Sequence, residues 1–183
     1  MSTTKHTLSV LVENKPGVLT RVSALFARRG FNIHSLAVGP TEHPQISRIT
    51  VIANADDTAM DQVVKQLNKL VNVLKIVELD QADSVQRELL LIKVLANDAS
   101  RTAVLQIVDL FRAHVVDVHP DSVVIEMVGS ESKVQALLNS LRPYGVSEIV
   151  QSGTVAISRG SQSITEELKE KLDLQYMWKV ILI

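Results

Sequence analysis

At 183 residues the chain is longer than one compact core of ~100 to 150 residues needs and short for two large domains, so two small domains are expected. A formal net charge of -1 offers no excess positive field to phosphate backbones or anionic lipid, and the absence of cysteine excludes disulfide scaffolds, thiolate nucleophiles and cysteine-ligated metal. No apolar run reaches the ~20 residues of a membrane span, and the first residues lack the apolar stretch of a signal peptide, so a soluble, cytoplasmic protein is expected.

Leu8, Val10 and Val12 alternate along one face and predict a half-buried strand. After Asn14-Lys15-Pro16-Gly17, the residues Val18, Val22, Leu25 and Phe26 recur at helical spacing, and Gly30 stands where a helix takes a left-handed closing residue. Ile33 to Val38 and Ile49 to Ala53 read as a hairpin around a turn-like segment, Gly39 to Pro44. Asp56 and Asp57 then supply helix-start chemistry ahead of Met60, Val63, Val64, Leu67 and Leu70, and Val73 to Leu79 closes the unit as a strand.

The same order recurs. Glu88 to Ala96 is a strand, and Ser100 precedes a helix carrying Val104, Ile107, Val108 and Phe111. Val115 to Val118 and Val123 to Val128 follow as strands, Ser130 opens a helix with Val134, Leu137, Leu138 and Leu141, and Ile149 to Ile157 ends the unit. The chain therefore divides into residues 1–80, a polar linker at 81–87, a second unit at 88–160 and a tail at 161–183. In the tail, Ile164, Leu168 and Leu172 suggest an amphipathic helix, and the apolar run Tyr176 to Ile183 must dock, on its own protomer by the simpler reading. Each β-α-β-β-α-β unit normally folds as a ferredoxin-like α+β domain, an antiparallel sheet with both helices on one face. The other sheet face or an edge then needs covering, which points to an oligomer.

Catalytic chemistry has no visible seat: there is no Gly-x-Ser-x-Gly elbow, no Gly-rich phosphate loop with lysine, and no Gly-x-Gly-x-x-Gly after a strand. The strands at Leu8 to Val12 and Ile49 to Ala53 lack the aromatic residues that stack RNA bases. His114, Asp117 and His119 crowd one strand, but alternation brings at most two of them to one face, short of a zinc site. The expectation is a chain without catalytic residues, metal or cofactor.

One loop is built for binding. Asn14-Lys15-Pro16-Gly17-Val18-Leu19 carries a strand into a helix N-terminus, whose unpaired N–H groups and partial positive charge suit a carboxylate. Asn14 either accepts from an ammonium group or caps the helix, Gly17 serves either close approach or helix packing, and Asn32 is open between a site role and a turn.

Glu13-Asn14-Lys15-Pro16-Gly17-Val18-Leu19-Thr20-Arg21-Val22, followed by Arg29-Gly30-Phe31-Asn32-Ile33-His34-Ser35-Leu36, resembles the regulatory small subunits of acetohydroxyacid synthase, whose N-terminal module is an ACT domain. Ser47-Arg48-Ile49-Thr50, Gln66 to Leu70, Arg87-Glu88-Leu89, Ile92-Lys93-Val94, Val116-Asp117-Val118 and Ser158-Arg159-Gly160 extend the resemblance over roughly residues 5 to 160. The resemblance implies a homodimer in which Asn14, Gly17, Val18 and Leu19 of one protomer and Asn32 and Ile33 of the other enclose a branched-chain amino acid, most often valine. It also implies a catalytic large subunit as partner, to which thiamine diphosphate, magnesium and FAD belong, and which this chain activates and subjects to feedback inhibition. The alternative is a free-standing amino-acid-responsive ACT regulator of a different enzyme or transcription factor. The tail beyond residue 160 departs from the family pattern.

Overall fold

The computed structural model describes residues 4–166 and residue 168. They form two compact units, one of residues 4–85 with those described from 156 onward, the other of residues 86–155.

The first unit runs β1 (Thr4–Glu13), α1 (Val18–Arg28), β2 (Ile33–Pro40), β3 (Ile46–Ala55), α2 (Asp57–Leu67) and β4 (Val73–Glu78), with the strands side by side as β2-β3-β1-β4 and every pairing antiparallel. Both helices present their apolar stripes to one face of this sheet. Val18, Val22 and Phe26 of α1 and Met60, Val63 and Leu67 of α2 pack with Leu8, Val10 and Val12 of β1 and Ile49, Val51 and Ala53 of β3. Helix α1 closes on Gly30 at φ +70°, where the N–H of Phe31 donates to the Phe26 carbonyl at 3.0 Å and that of Gly30 to Ala27 at 3.1 Å. Asp56 caps α2, accepting from the Ala59 N–H at 2.9 Å.

The structure corrects the half-buried reading of β1. Ser9 and Leu11, which face away from the helices, are buried as completely as Leu8 and Val10. The cause is a second apolar cluster on the reverse face, in which Leu11 and Leu79 meet Ala156, Ile164 and Leu168, flanked by Ile46, Leu74 and Val77. The beginning of the tail thus supplies the second layer for this sheet. Leu172 and the Tyr176 to Ile183 run lie outside the described residues.

The second unit runs β5 (Ser84–Leu95), α3 (Arg101–Leu110), β6 (His114–His119), β7 (Ser122–Gly129), α4 (Glu131–Leu141), a 3-10 turn (Arg142–Tyr144) and β8 (Val146–Gln151), with strand order β6-β7-β5-β8. Leu90, Ile92 and Val94 of β5 and Val123, Ile125 and Met127 of β7 form its core with Val104, Val108, Val134, Leu137 and Leu141. Ser130 caps α4 as its position suggests, but Ser100 does not cap α3. Asn97 shapes the turn ahead of it, its side-chain oxygen accepting from the N–H groups of Ala99 and Ser100 at 3.2 and 3.1 Å.

Two boundaries differ from the sequence reading. The strand expected over Ile149 to Ile157 is broken after Gln151 and resumes as β9 (Val155–Ser158), which pairs with β5 and groups with the first unit from Ala156. The segment read as a linker at 81–87 is already strand from Ser84, whose hydroxyl donates to the Asp80 carbonyl at 2.6 Å. Backbone pairing rather than apolar alternation makes that stretch a strand, so no period announces it.

Candidate functional site: the turn between β1 and α1

Glu13 ends β1 opposite Ile46 of β3, and the next four residues turn the chain into α1. The Asn14 N–H donates to the Gln45 carbonyl at 2.7 Å, and its side-chain nitrogen donates to the Pro44 carbonyl at 3.1 Å. Asn14 is therefore tied to the β2–β3 turn. It does not cap α1, so the capping alternative open at the sequence level is not realised.

The residue at the start of α1 is Gly17, in the left-handed region at φ +81°, with no side-chain cap and no acidic residue in the first turn. A Cβ there would meet nothing within 4 Å, so the need for glycine is conformational and not steric. The Val18 N–H donates back to the Lys15 carbonyl at 3.4 Å, and a helix beginning in this way has partial positive charge on its first-turn N–H groups, which suits an external acceptor. Val18 is buried in the core beneath the turn, whereas Leu19, 39% exposed, offers apolar surface beside it.

The structure brings Asn14, Gly17, Val18 and Leu19 together but holds Asn32 and Ile33 apart from them. Ile33 opens β2 opposite Ala53, seven positions along β3 from Ile46, which amounts to ~23 Å at strand rise. Asn32 is exposed, and β2 is an edge strand of its sheet. One chain cannot enclose a small ligand with both sets. The histidine-bearing strand β6 gathers no metal ligands: Nδ1 of His119 lies 2.7 Å from Asp121 on an exposed hairpin, and no three or more His, Asp or Glu side chains are grouped to hold a metal among the described residues.

Four charged and polar residues around the turn form a chain of contacts. Lys15 Nζ lies 3.1 Å from Glu13 Oε2, the same carboxylate accepts from Asn72 Nδ2, and Arg21 Nη1 donates to Asn72 Oδ1 at 3.0 Å. The hydrogen bond from Asn72, with Lys15 second, holds the Glu13 carboxyl below its ordinary range. Asn72 escaped sequence reasoning, because its partners lie 59 and 51 positions away and no local pattern marks it.

Residues 87–160 match the family described as the small subunit of acetolactate synthase, and residues 8–75 match the AHAS small subunit-like ACT domain. The acetolactate synthase small subunit of Mycobacterium bovis is 58% identical over 164 residues, 90% of this chain and 98% of that protein. This chain belongs to the acetolactate synthase small subunit family. A probable member from the archaeon Archaeoglobus fulgidus is 49% identical over 158 residues, covering 86% of this chain and 99% of its own. The crystal structure of the acetolactate synthase small subunit from Thermotoga maritima superposes with a TM-score of 0.80 at 42% identity, over 87% of this chain and 99% of that one. The acetolactate synthase small subunit family accounts for both units, each an antiparallel sheet with two helices. No helix among the described residues is long and apolar enough to cross a membrane.

Proposed function

We propose that this chain is the regulatory subunit of an acetolactate synthase: it binds and activates a thiamine-diphosphate-dependent catalytic subunit and confers feedback inhibition by valine or another branched-chain amino acid. The observation that carries the effector half of this reading is the start of α1 at Gly17, uncapped and free of acidic side chains. An amino acid's carboxylate suits those N–H groups, its ammonium suits the Asn14 amide oxygen, and its branched side chain suits Leu19, each buried CH₂ contributing ~0.8 kcal/mol. Asn32 and Ile33 would come from the partner protomer's β2 end, because their own lies across the sheet. Feedback then requires that effector bind the active and inactive arrangements unequally, with a coupling of typically ~1 to 3 kcal/mol.

The test is a calorimetric titration of valine, leucine and isoleucine into the parent and into Gly17→Asp, whose carboxylate would repel the ligand's. Saturable binding that the substitution abolishes, together with activation of the reconstituted catalytic subunit, is the expected result. Absence of binding to the parent removes the feedback role, and absence of activation removes the catalytic partner.

A further inference from the structure

The turn from Asn14 to Gly17 must keep its shape in water, since Asn14, Lys15, Pro16 and Gly17 are all exposed. Burial does not hold it. Its first residue is tied to the β2–β3 turn by the two Asn14 hydrogen bonds, at 2.7 and 3.1 Å. The residues flanking it on either side are tied to a single residue in the loop between α2 and β4. The Glu13 N–H donates to the Asn72 carbonyl at 2.9 Å, Asn72 Nδ2 donates to the Glu13 carboxylate, and Asn72 Oδ1 accepts from Arg21 in the first turn of α1 at 3.0 Å.

Asn72 is itself well placed for this. The N–H of Leu70 donates to the Leu67 carbonyl and that of Val73 to the Leu70 carbonyl, each at 3.0 Å, so the loop is a tight one anchored by β4. Its neighbour Val71 is 90% exposed, which leaves hydrogen bonding as the means by which this loop engages the turn. An amide is the side chain the position calls for, because it donates to the carboxylate on one side and accepts from the guanidinium on the other.

The geometry points to Asn72 as the positioning residue of the effector turn, fixing its entry through Glu13 and its exit through Arg21 so that the first N–H groups of α1 are set before an amino-acid carboxylate arrives. This rests on the amino-acid-binding reading above. Asn72 touches no ligand. It acts by preorganisation, removing alternative turn conformations that binding would otherwise have to exclude.

Valine titrated into the parent, Asn72→Ala, Glu13→Ala and the double variant tests this, with circular dichroism checking that each is folded. Asn72→Ala is expected to bind valine about tenfold more weakly, and the double variant no more weakly than the worse single one, because both break the same link. Asn72→Asp keeps an acceptor for Arg21 but sets a second carboxylate against Glu13, so it should weaken binding at least as far, and it carries the test if Asn72→Ala does not fold. Unchanged affinity in Asn72→Ala, or losses that simply add with those of Glu13→Ala, overturns the positioning role while leaving the effector site standing. A parent that binds none of valine, leucine or isoleucine takes both readings down together.

Discussion

Single residues set the turn's conformation and charge. Gly17 at φ +81° and Gly30 at φ +70° both occupy backbone that an L side chain enters at a cost of ~1 to 2 kcal/mol, and neither has an atom within 4 Å of where a Cβ would lie. Gly30→Ala should therefore destabilise the chain by about 1 kcal/mol in chemical denaturation, and Gly17→Ala should cost as much and also weaken effector binding. Binding that Gly17→Ala leaves unchanged would show that Gly17 matters only as a helix start. The Glu13 carboxyl sits below its ordinary value because Asn72 and Lys15 favour its charged form. A folded value below the unfolded one means that its contribution is present above the unfolded value and lost as pH falls through the folded one. An acid titration of Glu13 followed by NMR should show its midpoint rising in Asn72→Ala, and an unmoved midpoint would break the assignment. At this scale the sequence was partly legible: Gly17 and Asn14 stand out beside a helix start, but Asn72 finds its partners only through the folded sheet.

At the scale of elements, what could be read ahead were the pieces whose signal is periodic. α1, α2 and α4 put an apolar residue toward the core every third or fourth position, and Asp56 and Ser130 cap as their places suggest. Legibility failed where the determining contact is remote. Residues 84–87 become strand through pairing that their composition does not announce, and β1 is buried on its second face by Ala156, Ile164 and Leu168 from the other end of the chain. Leu168→Ala should accordingly cost about 2 to 5 kcal/mol, the range for a buried leucine, although its position in a tail would suggest almost nothing. Thermal or denaturant unfolding measures this directly, and a loss below about 0.5 kcal/mol would mean the reverse-face cluster does not persist in solution.

For the whole molecule, the ~23 Å between the Asn14 turn and Ile33 means that the site we propose must draw Asn32 and Ile33 from a second chain. Effector affinity should then depend on protein concentration: on dilution through the range where light scattering shows dimers separating, the apparent dissociation constant should rise. Saturation at about 100 times that constant should stabilise the protein by ~2.7 kcal/mol, visible as a rise in melting temperature. An affinity indifferent to dilution while the dimer falls apart would place the whole site within one protomer. The first unit is also discontinuous, since one face of its sheet is covered by residues from 156 onward after the second unit has intervened. On the ribosome this imposes an order of events. At ~5 to 20 residues per second, synthesis of residues 86–168 takes ~4 to 17 s. For that time Leu11, Leu74 and Leu79 have no Ile164 or Leu168 to cover them, so the reverse face of the sheet stays open apolar surface although the helix-side core, built from residues 8–67, is already synthesised.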